Sequence, residues 1–207
     1  MKDEGKQRRR LATGTLARVA VFAALIAVMG LPGTLNVFGN AVPITLQTMG
    51  VMLAGAVLGA WRGALAVLVL YVLVAAGLPL LAGGRGGLGV FTGPSAGFLI
   101  GWLPGAAVTG WLVERAGRSP SVLQLFVASV AGGMGVIYLF GIPVQALVTG
   151  VSLSTAAGFT GLFLPGDLIK AALTAVVVRG VQRAYPDAVP AVHHERLSGG
   201  ALTARCP

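Results

Sequence analysis

Residues 79–97 read PLLAGGRGGLGVFTGPSAG, a glycine-rich stretch with a single charge, Arg85, set between two apolar runs each long enough to cross a bilayer. Soluble phosphate loops also combine glycines with a basic residue, but they follow a buried strand and end in Gly-Lys-Ser/Thr, and neither condition holds here. Glycines between membrane spans let the backbone turn back on itself and come close to a ligand. Non-helical backbone at that depth is tolerated only where protein or a cavity covers it. The stretch is therefore expected to form one wall of a binding site.

The surrounding chain supports a membrane setting. Its 207 residues are 56% hydrophobic and 10% charged, with a mean hydropathy of +0.86, outside the range of soluble globular domains. No Asp, Glu, Lys or Arg falls between Arg18 and Arg62, Arg62 and Arg85, Arg85 and Glu114, or Arg118 and Asp167. The net charge of +9 sits in short patches beside apolar runs, which points to anionic lipid headgroups and away from nucleic acid. Cys206 is the only cysteine, which excludes an internal disulfide and a cysteine-based metal site. The basic start MKDEGKQRRRLATG resembles the n-region of a signal peptide, but the apolar run after it is as long as a span and reads as a retained first helix.

An all-α integral membrane protein with six transmembrane helices and both termini cytoplasmic is expected. The spans run from about Thr15 to Gly30, Leu46 to Ala60, Ala64 to Gly77, Ser95 or Gly97 to Trp111 or Val113, Ser119 to Phe140 and Pro165 to Ala184. Residues 1–14 form a basic cytoplasmic segment, 15–184 the membrane domain and 185–207 a polar, flexible cytoplasmic tail. Trp61-Arg62-Gly63 and Glu114 to Arg118 read as short charged turns, and Ser119-Pro120 as N-cap and first helical residue of the fifth span. The stretch 141–165, broken by glycines and prolines, reads as partly helical and short of a full crossing. Asn36, Asn40, Thr45, Gln47 and Thr48 read either as a solvated span edge or as the lid of a pocket. His193, His194 and Glu195 in the tail read as solvated surface, with no metal site.

On this map the basic residues all fall on the cytoplasmic side except Arg85 and Lys170, and the acids do so except Asp167. Asp167 and Lys170 are spaced i, i+3 and share one helix face. Asp167 suits the first turn of a helix, whereas Lys170 there needs a nearby anion. Two readings stand: an Asp167–Lys170 pair that braces the helix with Arg85 exposed, or a site for a small molecule with an anionic end, N–H donors at the other end and an apolar body. The alanines Ala20, Ala23, Ala24 and Ala27 recur at helical spacing on the first span and permit close helix approach, within the bundle or to a partner.

The segments VPITLQTMGVMLAGAVLGAWRGALAVLVLYVLVAAGLPLLAGGRGGLGVFTGPSAGF and FLPGDLIKA resemble the BioY family, biotin-binding substrate-capture (S) components of energy-coupling-factor (ECF) vitamin transporters. The resemblance extends from about Thr15 to Ala184. It implies a six-helix S-component fold in the cell membrane, capture of biotin from outside, and coupling to a transmembrane T component and two ATPase subunits. It also implies that Arg85, Asp167 and Lys170 hold the ligand with the loop around Gly84, and that the alanines Ala20 and Ala24, with Ala23 and Ala27, dock the T component. Some members carry an asparagine where this chain has Ala82-Gly83-Gly84, and Gln47 is the substitute offered for its ureido contact.

The chain has no GxxxxGK[ST] motif, so energy for transport would come from a partner or an ion gradient. Three alternatives remain beside an ECF S component: a solitary biotin carrier, possible as a homo-oligomer; an S component for another small carboxylate vitamin; and a membrane enzyme acting on lipid or an isoprenoid. The last would want paired carboxylates or a base and nucleophile within reach, and the spans offer one Asp and no histidine. No cofactor is expected.

Overall fold

The computed structural model describes residues 2–32, 42–117 and 119–185, with side chains from Gly14 onward. Asn36, Asn40, Arg118 and the tail with His193, His194, Glu195 and Cys206 lie outside the described residues. The elements in order are α1 (Lys2–Val28), α2 (Gln47–Leu58), α3 (Ala60–Ala75), a 3-10 turn (Leu88–Phe91), α4 (Ala96–Arg115), α5 (Val122–Val130), a π-helical turn (Ala131–Val136), α6 (Ile137–Thr149), α7 (Leu153–Gly161) and α8 (Leu164–Ala184). Among the described residues every regular element is helical.

Among the described residues two helices are long and apolar enough to cross a membrane alone: α4, and the unbroken run of α5, π-turn and α6 over Val122–Thr149. The pair α7 and α8, bent by 52°, qualifies as a third when taken as one span, and Gly14–Val28, α2 and α3 are shorter apolar helices. The expected fifth span thus continues to Thr149 instead of stopping near Phe140, and the rest of 141–165 forms α7 and its elbow into α8. Its start also moves: Ser121, not Ser119, is the N-cap, its hydroxyl accepting from Gln124 N–H while the Gln124 side chain accepts from Ser121 N–H. That reciprocal pair satisfies two otherwise orphaned donors, which a proline at the first position cannot match.

The turn expected at Trp61-Arg62-Gly63 is at Gly59, whose φ of 86° is open to glycine at little cost, and Trp61 and Arg62 begin α3. Glu114 at the end of α4 accepts the Ala60 N–H at 3.0 Å, capping α3 from a neighbouring helix. The approach is tight there: a Cβ on Gly110 would lie 2.3 Å from the Ala60 nitrogen.

α4 is the hub, packing against α2, α3 and α6, while α5 pairs with α8 and α1 lies over α2 and α3. Ile26, Val51, Leu70, Leu99, Trp102 and Ile137 form the largest apolar core, and a second core of Leu53, Leu125, Ala175 and Val178 joins α5 to α8. On α8 the buried Lys170, Thr174 and Val178 alternate with exposed Ile169, Leu173 and Val176. A helix that is apolar on its outer face and carries polar groups inward is built for lipid.

Candidate functional site

The glycine-rich loop is a folded wall. Leu81 and Arg85 exchange backbone hydrogen bonds of 3.0 and 3.1 Å, closing a small hairpin in which Gly83 and Gly84 take φ of 79° and 69°. Gly87 N–H bonds the Val74 carbonyl at 2.7 Å, tying the hairpin to the end of α3. Gln47 anchors it from the other side: its Nε2 donates to the Ile26 and Leu80 carbonyls, each at 3.1 Å, and its Oε1 accepts the Ala82 N–H at 2.9 Å. The buried Gln47 amide thus joins α1, α2 and the loop.

Beneath this hairpin lies a pocket that is open at its mouth. Arg85, Asp167, Lys170 and Gln47 all line it, with Thr45, Thr48 and Ser95. Its apolar walls come from Phe98, Leu99 and Trp102 of α4, Ile137 and Tyr138 of α6, and Phe163 before α8. Phe98 meets Tyr138 and Phe163 edge to face at 6.4 and 6.1 Å. Gly84 does not line it: it borders a second space between the loop and the end of α1, with Ala27, Gly30 and Pro79.

The two basic side chains in this pocket are held differently. Lys170, 5% exposed, bonds Asp167 Oδ1 at 2.8 Å, Thr48 Oγ1 at 3.2 Å and the Thr45 carbonyl, which accounts for all three ammonium protons. Asp167, 4% exposed, also accepts the Tyr138 hydroxyl on Oδ2 at 2.6 Å and a longer bond of 3.5 Å from Thr48 on Oδ1. A carboxylate offers about four acceptor positions, so one on Oδ2 remains. The ion pair that braces α8 is therefore present, and it stands in the pocket wall.

Arg85 is half-buried, its Nε donating to the Ala82 carbonyl at 3.1 Å and its Nη1 to Ser95 Oγ at 3.0 Å. These two bonds leave three of its five N–H groups. Among the described residues no carboxylate lies within ion-pair distance of it, and burial lowers its pKa from the ordinary guanidinium value. Its guanidinium plane is fixed by those two bonds.

Tyr138 lines the pocket although the sequence reading passes over it, since it stands in an apolar run where a tyrosine is ordinarily interfacial. Thr48 lines it in keeping with the lid reading, and Ser95 belongs to the glycine-rich stretch expected to form a wall. The π-turn Ala131–Val136 directly precedes Ile137 and Tyr138 and resets the helical register that presents them to the pocket.

On α1, Leu16, Ala20, Ala24 and Val28 form an exposed row four residues apart, whereas Ala23 is buried and Ala27 packs against the core. The four alanines therefore split between two faces, and Ala20 and Ala24 are the two exposed ones.

A helical bundle with an apolar outer face and a small pocket that holds, among the described residues, a cation without a carboxylate beside it, a braced carboxylate and aromatic walls, defines a membrane protein that captures a small molecule. The chain belongs to the BioY family, whose description it matches over residues 3–187. It is 50% identical over 180 residues to the biotin transporter BioY of Rhodobacter capsulatus, covering 83% of this chain and 94% of that one. Identity to the Rhizobium etli biotin transporter BioY is 48% over 181 residues, covering 85% and 97%. The fold superposes with a TM-score of 0.80 and 31% identity on the crystal structure of the S-component for biotin from an ECF-type ABC transporter, covering 84% of this chain and 93% of that one.

Proposed function

We propose that this protein captures biotin in the pocket beneath the glycine-rich loop and carries it across the cell membrane as the S component of an ECF-type transporter. The observation that carries the reading is the pairing of a half-buried Arg85, with no carboxylate beside it among the described residues, and a braced Asp167 in one aromatic-walled pocket. Biotin brings a carboxylate, an apolar chain and a ureido group. Arg85 meets the carboxylate with its three remaining N–H groups, the open position on Asp167 Oδ2 accepts a ureido N–H, and Phe98, Trp102 and Phe163 cover the body. Lys170 acts through Asp167, since its protons are already engaged. Gln47 acts on the shape of the loop, and Gly84 supplies the turn that closes it.

In this reading α1, α2, α3, α4, the α5 to α6 run and the bent α7–α8 pair each cross the plasma membrane, so both termini share one side, which the distribution of basic residues makes the cytoplasmic one. The exposed Ala20 and Ala24 row on α1 receives the T component, through which two ATPase subunits supply energy. The chemistry is capture without catalysis, in keeping with the biotin transporters that the chain resembles.

The test is uptake of labelled biotin by a biotin auxotroph expressing this chain alone, or together with a T component and an ATPase pair. Uptake that rises sharply with the partners supports the S-component role. Equal uptake by the chain alone would replace it with a solitary carrier, and no uptake in either strain, with the protein present in the membrane, would contradict biotin as the cargo.

A further inference from the structure

Trp102 carries a buried donor with no acceptor. Its side chain is 5% exposed and lines the pocket, and among the described residues its Nε1–H has no hydrogen-bond partner. Thr174 Oγ1 and the Gln182 amide are also buried without partners, but those residues do not line the pocket. A tryptophan kept in a core ordinarily satisfies its indole N–H, because nothing but an acceptor offsets the loss of water. The neighbouring Tyr71, whose ring stacks with Trp102 at 6.5 Å, directs its hydroxyl proton to the Leu99 carbonyl, and its oxygen takes no bond from the indole.

The position of Trp102 says what it would meet. Ser95, Phe98, Leu99 and Trp102 line the pocket from one face of α4, so Trp102 lies two turns, about 10 Å, deeper than the Ser95 hydroxyl that holds Arg85. Asp167 stands on α8, where it accepts the hydroxyl of Tyr138 of α6, whose ring meets Phe98. We infer that the Trp102 indole N–H is a specificity-determining donor to the ligand, bonding a carbonyl oxygen at the end opposite the carboxylate.

This rests on the capture reading above and extends it. A cyclic urea presents N–H groups on one side and its carbonyl on the other, which suits a carboxylate acceptor on one wall and a lone donor on another. The ring sulfur is a weak acceptor and would leave the indole poorly satisfied. Ligands with a carboxylate and apolar body but no such carbonyl would leave the buried N–H unpaired and be rejected.

The experiment is proton–nitrogen NMR of the intact protein in nanodiscs with 15N-indole tryptophan, the Trp102 signal assigned by elimination using Trp61→Phe and Trp111→Phe. Biotin should move the Trp102 indole proton downfield and slow its exchange. Trp102→Phe should weaken binding of both biotin and desthiobiotin, which keeps the urea and lacks the sulfur, by about 5- to 10-fold. An unmoved Trp102 signal in biotin-saturated protein overturns the inference while leaving biotin capture intact. An effect of Trp102→Phe confined to biotin would move the acceptor to sulfur and overturn the carbonyl assignment. Failure of the parent to bind biotin at all would be failure of the capture reading, visible before any variant is made.

Discussion

The Tyr138 hydroxyl donates to Asp167 Oδ2 at 2.6 Å, joining the start of α6 to the first turn of α8 across the pocket wall. That bond sets which way the carboxylate faces, because its other oxygen is already held by Lys170 and Thr48. Tyr138→Phe keeps the ring against Phe98 and removes only the bond. It should weaken biotin binding by about 3- to 10-fold, with a small change in melting temperature, read by calorimetry on folded protein.

Breaking the Asp167–Lys170 pair is a different perturbation. Both groups are buried, and removing one partner of such a pair leaves an uncompensated charge costing about 3–5 kcal/mol. Lys170→Met should therefore lower thermal stability markedly without ligand. The double variant Asp167→Asn with Lys170→Met should regain most of that stability and still bind biotin poorly. Recovery of binding in the double variant would show that the pair only braces the helix.

Arg85 should behave in the opposite way. Its bonds to Ala82 and Ser95 hold a side chain that is half in solvent, so Arg85→Ala should melt within a few degrees of the parent. Its loss removes charge-assisted bonds worth about 1.5–3 kcal/mol each, so affinity should fall by roughly 10- to 100-fold or more. Arg85→Lys restores the charge but not the planar fork and should recover only part of the binding.

Gln47 separates loop anchoring from ligand contact. Gln47→Leu orphans the Ile26 and Leu80 carbonyls and the Ala82 N–H, at about 1–3 kcal/mol for each buried group left unsatisfied. Faster hydrogen exchange at Ala82 and Arg85 in the ligand-free protein is the expected signature. Unchanged exchange beside lost binding would instead make the amide a direct ligand contact.

The exposed row on α1 should serve assembly alone. Ala24→Leu places bulk on the outer face without entering the core, so biotin affinity should be unchanged while co-purification with a T component is lost. Ala23→Leu, aimed into the core, should cost stability first.

How much of this was legible in the chain depended on contrast. Arg85, Asp167 and Lys170 stood out because a charge in apolar text is costly and needs a reason, and the i, i+3 spacing of the last two already implied their bond. The glycine-rich stretch announced a folded wall for the same kind of reason. Tyr138 and Trp102 gave no such signal, since aromatic residues in a span read first as packing or interface, and only the register after the π-turn brings Tyr138 to Asp167. The end of the long fifth helix was misplaced because glycine and proline, which break helices in water, are tolerated in membrane helices, and Pro143 sits inside α6. Gly84 enters with the ligand-holding loop that the resemblance implies, and its positive φ gives it a part in the hairpin turn.

The most direct test of the account is equilibrium binding of biotin to the purified protein stripped of endogenous ligand, alongside folded Arg85→Ala. Tight binding by the parent, weakened at least tenfold in the variant, is the predicted result. A well-folded parent that does not bind biotin, or a variant that binds as tightly as the parent, would contradict it.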